Sequence, residues 1–223
     1  MKNLLIIGAR GTGRELYGFR EDFIGYNETF VIKGFLDDNP HVLDGFEGYP
    51  PIISSVEDYE VQEKDVFVCA LGDPKMKQKY IEIILEKHGE FISLLSKSLK
   101  LSKTNQKLGK GCIILCHTAI DADTEIGNFV TMLPGVLIGH DTIVEDYCMF
   151  DCHVFCGGGS RIKKGALLYT GTKVLPHKTV GANAVVNAGS VVARDVPAGA
   201  TVMGIPAQES RSWIKMILQN IKK

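Results

Sequence analysis

The sequence predicts two folds in series, a half-Rossmann-like α/β domain and then a parallel β-helix built from hexapeptide repeats. Three observations predict them. Every sixth residue from Leu108 to Val192 is apolar, a strand, glycine-turn and helix pattern opens the chain, and further strand-like runs follow before residue 96. At 223 residues there is room for two modest domains. The expected divisions are residues 1–95 for the α/β domain, 96–107 for a connection, 108–210 for the β-helix and 211–223 for a capping helix.

The repeat carries most of this reading. Leu108, Ile114, Ile120, Ile126, Met132 and Ile138 begin a column that stays apolar through Val192. Four residues after each member comes a small or β-branched side chain, with Lys178 as the exception. A period of six matches neither a helix at 3.6 nor a flat strand at 2. It suits a coil with three short sides, each hexad turning one apolar residue inward. Five coils are expected, stacked at roughly 4.8 Å, and each buried large side chain contributes about 1.5–3 kcal/mol.

Upstream, residues 3–7 read as a buried strand that runs into Gly8-Ala9-Arg10-Gly11-Thr12-Gly13 and a helix from Arg14 to about Phe23. A strand, glycine turn and helix present backbone N–H groups and a helix N-terminus to phosphate. The spacing is not the dinucleotide pattern G-x-G-x-x-G, which argues against NAD. A second strand, Phe30 to Leu36, ends in Asp37-Asp38-Asn39-Pro40, where such a fold grips a ribose or base; the same four residues are also good turn chemistry. Asp65 to Leu71 gives a third strand, Gly72-Asp73-Pro74 its exit, Lys75 to Lys87 a helix and Phe91 to Leu95 a fourth strand.

Composition narrows the classes. A net charge of −1 argues against a general nucleic-acid binder. No run of eighteen apolar residues suggests membrane insertion, and Gly8 interrupts the N-terminal apolar run too early for a signal core, so a cytoplasmic location is expected. Six cysteines include C-x3-C spacings that invite a metal. Cys112, Cys148 and Cys156 fall on inward repeat positions, however, where a free cysteine acts as a small hydrophobe.

Phase also stacks the outward residues. His140 sits over Ala122 and under Gly158, a lone imidazole with almost no side chain on either neighbour, and Gly157-Gly158-Gly159 widens the space around it. Asp141 can orient its Nδ1–H only near a corner, because neighbours on a flat strand face opposite ways. The competing reading is a surface histidine on a glycine-rich corner. Asp123 lies one coil below Asp141, and two carboxylates at roughly 5 Å either splay apart or share a cation.

With glycine loop, Asp-Asp turn, hexapeptide repeat, Gly139-His140-Asp141 and Gly204-Ile205-Pro206-Ala207 in this order, the chain resembles the sugar O-/N-acyltransferases typified by the sialic acid O-acetyltransferase and the UDP-4-amino-sugar N-acetyltransferase. The resemblance implies a left-handed β-helix, a homotrimer, acetyl-CoA as co-substrate between neighbouring subunits, and a nucleotide-sugar on the N-terminal domain. It places Gly8, Gly11, Gly13, Asp37, Asp38 and Gly72 at the nucleotide-sugar, with His140 as general base and Asp141 as its partner. Along CoA it places Gly158, Thr170, Ala188, Gly204, Pro206 and Ala207; from the cysteine positions, no metal is expected. Three positions depart from the pattern: Thr12 and Met149 stand where the family has histidines, and Lys77 where it has arginine. The expected function is acetyl-CoA-dependent N-acetylation of a UDP-4-amino-sugar. The alternatives are O-acetylation of sialic acid or another sugar, and a catalytically idle nucleotide-sugar-binding scaffold.

Overall fold

A computed structural model describes residues 1–210; the expected helix Arg211 to Ile221 lies outside the described residues. The fold class is as the sequence predicts, an α/β domain followed by a left-handed β-helix. In the first domain, β1 (Lys2–Ile7), β2 (Phe30–Leu36), β3 (Ile52–Ser54), β4 (Asp65–Cys69) and β5 (Glu90–Phe91) form a parallel sheet in the order β3-β2-β1-β4-β5. Helices α1 (Gly11–Gly18) and α2 (Pro74–Glu86) cover it. Strand order reverses at β1, so the glycine loop that follows β1 opens at the switch point, where such sheets hold ligands. The first helix is shorter than expected, because the backbone leaves α-geometry after Gly18 and continues as a 3₁₀ turn, Arg20–Asp22.

The β-helix has three faces. The first runs from Leu94–Leu95 to Thr201–Met203 and closes on an antiparallel strand, Gln208–Glu209; the second runs from Lys100–Leu101 to Val191–Val192, the third from Lys107–Leu108 to Thr179–Val180. Their sheets have 8, 6 and 5 strands. The second member of each short rung points inward, and Ile114, Met132, Phe150, Leu168 and Val186 are buried in one continuous core. Every sixth residue from Gly111 to Gly189 takes a positive φ. These are the corners. Glycine, asparagine, aspartate and histidine hold most of them, the residue types for which left-handed backbone costs least.

Two boundary expectations fail. Residues 96–107 are not a connection: Lys100–Leu101 pairs with Ala119–Ile120, and Lys107–Leu108 with Glu125–Ile126, so this segment belongs to the first coil. Nor is Phe91 to Leu95 one strand. Phe91 pairs with Phe67 in the α/β sheet, while Leu94 and Leu95 already pair with Ile113 and Ile114 in the β-helix. One extra residue between Leu101 and Leu108 breaks the period, and the lysines that lead both rungs disguise them as polar linker.

The two domains share a core. Ile113, Leu115, Leu133 and Met149, outward on the first face or just past its rungs, are buried in the same cluster as Leu4, Leu16 and Val66. Phe129 and Tyr147, two bulky residues at strained corners, stack on each other at 5.2 Å, and Phe129 meets Phe91 edge-on. Lys77 of α2, 2% exposed, donates from Nζ to the Phe129 carbonyl at 3.1 Å and to Thr131 Oγ1 at 2.6 Å. Desolvation lowers its pKa.

Candidate active site and nucleotide cleft

The glycine loop is built around two contacts. Gly8 has φ +93°, and a Cβ at Gly13 would sit 1.9 Å from the Gly8 carbonyl oxygen, so only glycine lets α1 start this close to the turn. Gly11 and Gly72 meet nothing within 4 Å and stand open. Asp37 then ties the loop to the end of β2: its Oδ2 accepts from the Ala9 N–H at 2.9 Å, and its Oδ1 from the Asn39 N–H at 3.0 Å. Asp38 accepts from the Val56 N–H at 3.3 Å and from the Tyr80 hydroxyl. That bond holds the tyrosine proton, pushing its pKa up to about 12.

A cleft of about 590 Å³ opens beside these groups, with Gly8, Arg10, Asp37, Asp38, Asp73 and Tyr80 on its polar side. Leu71, Met76 and Val56 supply apolar walls. Of the substrate residues expected from sequence, Gly8, Asp37 and Asp38 line the cleft, whereas Gly13 is buried behind it. Sequence reading missed Arg10, Met76 and Tyr80. The signal was available for two of them, since positions 76 and 80 share one face of α2.

The second candidate site is at the edge between the second and third faces. Asp141 holds φ 56° there, which turns its carboxylate back to its neighbour: His140 Nδ1 and Asp141 Oδ2 are 2.7 Å apart. The corner that the sequence argument required is present. The side chains are 66% and 65% exposed, so the pair stands in open solvent in one chain. Its hydrogen bond with Asp141 raises the His140 pKa, and Asp121 and Asp123 add to the shift. Gly158 has a specific reason to be glycine, because a Cβ there would lie 2.7 Å from His140 Cε1 and Nε2. Gly139 is likewise constrained, because a Cβ there would approach the Gly158 nitrogen to 2.7 Å.

The expected CoA residues fall into two groups. Gly158 lies beside His140, while Thr170 and Ala188 occupy corners between the first and second faces, with Gly204-Ile205-Pro206-Ala207 directly beyond them. The Ala207 N–H bonds to the Val191 carbonyl there, and the Gly204 N–H to Ser190 Oγ. One chain does not bring these groups together. Its α/β domain covers the first face, opposite the edge that carries His140. Among the described residues no group of three or more His, Cys, Asp or Glu side chains is arranged to hold a metal ion.

Residues 3–84 match the family model described as the PglD N-terminal domain. The structure of PerB from Caulobacter crescentus, in complex with CoA and GDP-perosamine, is similar over 94% of this chain and 98% of that one, at 25% identity and a TM-score of 0.82. The chain has the fold of the hexapeptide-repeat sugar acyltransferases, with the matching N-terminal domain over residues 3–84. The acetyltransferase domain of PglB from Neisseria gonorrhoeae, in complex with acetyl coenzyme A, shares the fold at 21% identity and a TM-score of 0.83, over 93% of this chain and 98% of that one. In sequence, a serine acetyltransferase of Synechococcus elongatus is 40% identical over 90 residues, a match spanning only 37% of each chain. Within the acyltransferase frame, two departures have a structural account. Met149, 6% exposed, is packed beneath the α/β domain, and Lys77 bridges the domains instead of facing the cleft.

Proposed function

We propose that the chain transfers an acetyl group from acetyl-CoA to the amino group of a nucleotide-linked amino sugar, with the nucleotide in the α/β cleft and His140 as general base. The observation that carries this reading is the His140–Asp141 pair at 2.7 Å, with the side-chain-free Gly158 next to the imidazole. With Nδ1–H donated to Asp141, Nε2 is the free lone pair. The acceptor amine attacks the thioester carbonyl, a C–N bond forms, and the amine proton passes to Nε2. As the tetrahedral intermediate collapses, the C–S bond breaks and the imidazolium returns that proton to the CoA thiolate. Among the described residues the Gly158 N–H donates no backbone hydrogen bond, and in this reading it serves the oxyanion.

Assembly completes the site in this reading. Leu137 and Phe155, 45% and 38% exposed, form an apolar stripe with Ala119 on the second face, whereas Lys107 and Glu125 pair on the third. Burying the stripe in a homotrimer sets the Thr170–Ala188 edge of one copy against the His140 edge of the next, and CoA would lie between them. Nucleotide-linked amino sugars and their hydroxyl analogues, incubated with acetyl-CoA and followed by mass shift, test the proposal. A mass gain of one acetyl group on the amine is expected; acetylation confined to the hydroxyl compounds would establish the O-transfer alternative, and no transfer to either would reject the activity.

A further inference from the structure

The three consecutive glycines beside His140 each answer to a different side chain. A Cβ on Gly157 would lie 2.7 Å from the Pro176 nitrogen, one on Gly158 would lie 2.7 Å from His140 Cε1 and Nε2, and one on Gly159 would fall onto His177 Nδ1 and 2.8 Å from its Cε1. The run is therefore a slot for two imidazoles. His140 reaches it from the coil on the N-terminal side and His177 from the coil on the C-terminal side, and they meet neighbouring residues whose Cα atoms are about 3.8 Å apart.

The backbones of both histidines hold the same dipeptide. The Gly159 N–H donates to the His140 carbonyl at 2.8 Å, and the His177 N–H to the Gly158 carbonyl at 3.0 Å. His177 has φ 58°, and at such corners the side chain lies against the glycine of the preceding coil, as His153 does on Gly135 and Asn183 on Gly165. The packing recurs, but among the described residues only at Gly158-Gly159 does a second imidazole meet the adjacent residue. Because Nδ1 faces Gly159, Nε2 is the outer nitrogen of the His177 ring. The backbone around the slot has one donor to spare. Among the described residues the N–H groups of Gly139, Gly157 and Gly159 are bonded to the Cys156, Val174 and His140 carbonyls, and that of Gly158 is not bonded. Other charged groups near His140 do not add one: Asp121, Asp123 and Asp141 are acceptors, and Arg161 directs Nη1 to the Asp141 and Ser160 carbonyls.

We propose that His177 is a second hydrogen-bond donor to the acetyl-CoA thioester, its Nε2–H and the Gly158 N–H together holding the carbonyl oxygen as it takes up negative charge. The proposal rests on the acetyl transfer at His140 read above. The CoA residues expected from sequence, Gly158 to Ala207, all lie on coils C-terminal to His140, the side from which His177 reaches in. A neutral imidazole with its hydrogen on Nε2 donates without giving up a proton, so the amine proton still passes through His140. Donors preset against one dipeptide need no reorganisation when charge develops, and losing one such donor typically costs about 10²–10³ in kcat.

Two measurements on the purified full-length protein test it. In steady-state acetylation, His177→Leu should lower kcat by at least about a hundredfold and leave the KM for acetyl-CoA within about threefold, whereas His177→Gln, which keeps a side-chain N–H, should recover at least about tenfold of the loss. Asn183→Leu carries the same corner strain away from the site and should turn over like the parent. Turnover of His177→Leu within about threefold of the parent overturns the assignment, as does a glutamine variant no better than leucine or a loss shared by Asn183→Leu. The second measurement needs no turnover. Among the side-chain nitrogen resonances of isotope-labelled histidine, that of His177, identified by its absence in His177→Gln, should shift with acetyl-CoA and not with CoA, which lacks the carbonyl. No shift, or an equal shift with both, overturns the donor role whether or not acetyl transfers; transfer without the shift leaves the His140 reading standing. The shift without transfer to any acceptor would reject the acetyltransferase reading and keep the carbonyl contact.

Discussion

The cleft proposed for the nucleotide and the His140 edge differ in how far one chain completes them. In the cleft each oxygen of Asp37 and Asp38 already has a protein donor, and the loop that Asp37 holds is locked by Gly13 against Gly8. At the edge, one hydrogen bond joins two side chains that are about two-thirds exposed. A binding site can be preformed by backbone bonds within one domain. A transfer site that has to exclude water and admit a second substrate needs another surface, and a solenoid wall can supply one only by stacking against a neighbour.

Substitutions at the two places should therefore fail differently. The largest effect is expected from His140→Ala, a fall of at least about a hundredfold in turnover with nucleotide binding retained, because removing a general base typically costs 10²–10⁴-fold. Transfer within tenfold of the parent in a stopped assay would show that another group takes the proton. Asp37→Ala should raise the KM for the sugar nucleotide by about tenfold or more and leave that for acetyl-CoA nearly unchanged, as loss of charged hydrogen bonds costs roughly 1.5–3 kcal/mol. Steady-state kinetics with each substrate varied would expose a defect in the wrong constant. Gly158→Leu is expected to lower turnover as well as acetyl-CoA affinity, since the new side chain occupies the place of the His140 ring.

Lys77 tests the joint between the two regions. Lys77→Ala leaves the Phe129 carbonyl and Thr131 hydroxyl without their donor, a loss of about 1–3 kcal/mol. In a chain of this size each kcal/mol lowers Tm by roughly 2–4 °C. The pH dependence has a definite sign. Burial lowers the Lys77 pKa in the folded protein, so stability is full above the unfolded lysine value of about 10.4 and is lost as pH falls toward the folded value. Lys77→Met should flatten that alkaline rise in a melting series. An unchanged rise would mean that other groups produce it.

The smallest effect is expected at Asp141. Its hydrogen bond raises the His140 pKa, so the acid limb of the kcat/KM profile, where the base becomes protonated, should lie above the ordinary histidine value of about 6.5. Asp141→Asn should move that limb to lower pH. A limb that stays in place would separate His140 titration from the rate.

Much of this was legible in the repeat. A period of six over so long a run leaves little but a three-sided coil, and His140 could be set under Gly158 by counting alone. The first coil could not be read, because one inserted residue and the leading lysines Lys100 and Lys107 hide it. Nor did the sequence reveal that Asp37 holds the loop through Ala9, or that Tyr80 reaches Asp38 from forty-two residues away. Such contacts are set by how α2 lies on the sheet and leave no periodic trace.

By itself the sequence determined the order of the two domains, the phase of the β-helix, the glycine turn and the adjacency of His140 and Asp141, all of them local or periodic properties that fix backbone geometry residue by residue. Tertiary structure decided which face of the solenoid the α/β domain covers, that Lys77 and Met149 belong to that joint, and that Thr170 and Ala188 lie on a different edge from His140. Those outcomes depend on which apolar outward residues find a partner. Ile113 and Met149 are buried against the first domain while Leu137 and Phe155 remain exposed, and hydrophobic burial is non-directional, so the sequence pattern marks such positions as apolar without saying what covers them.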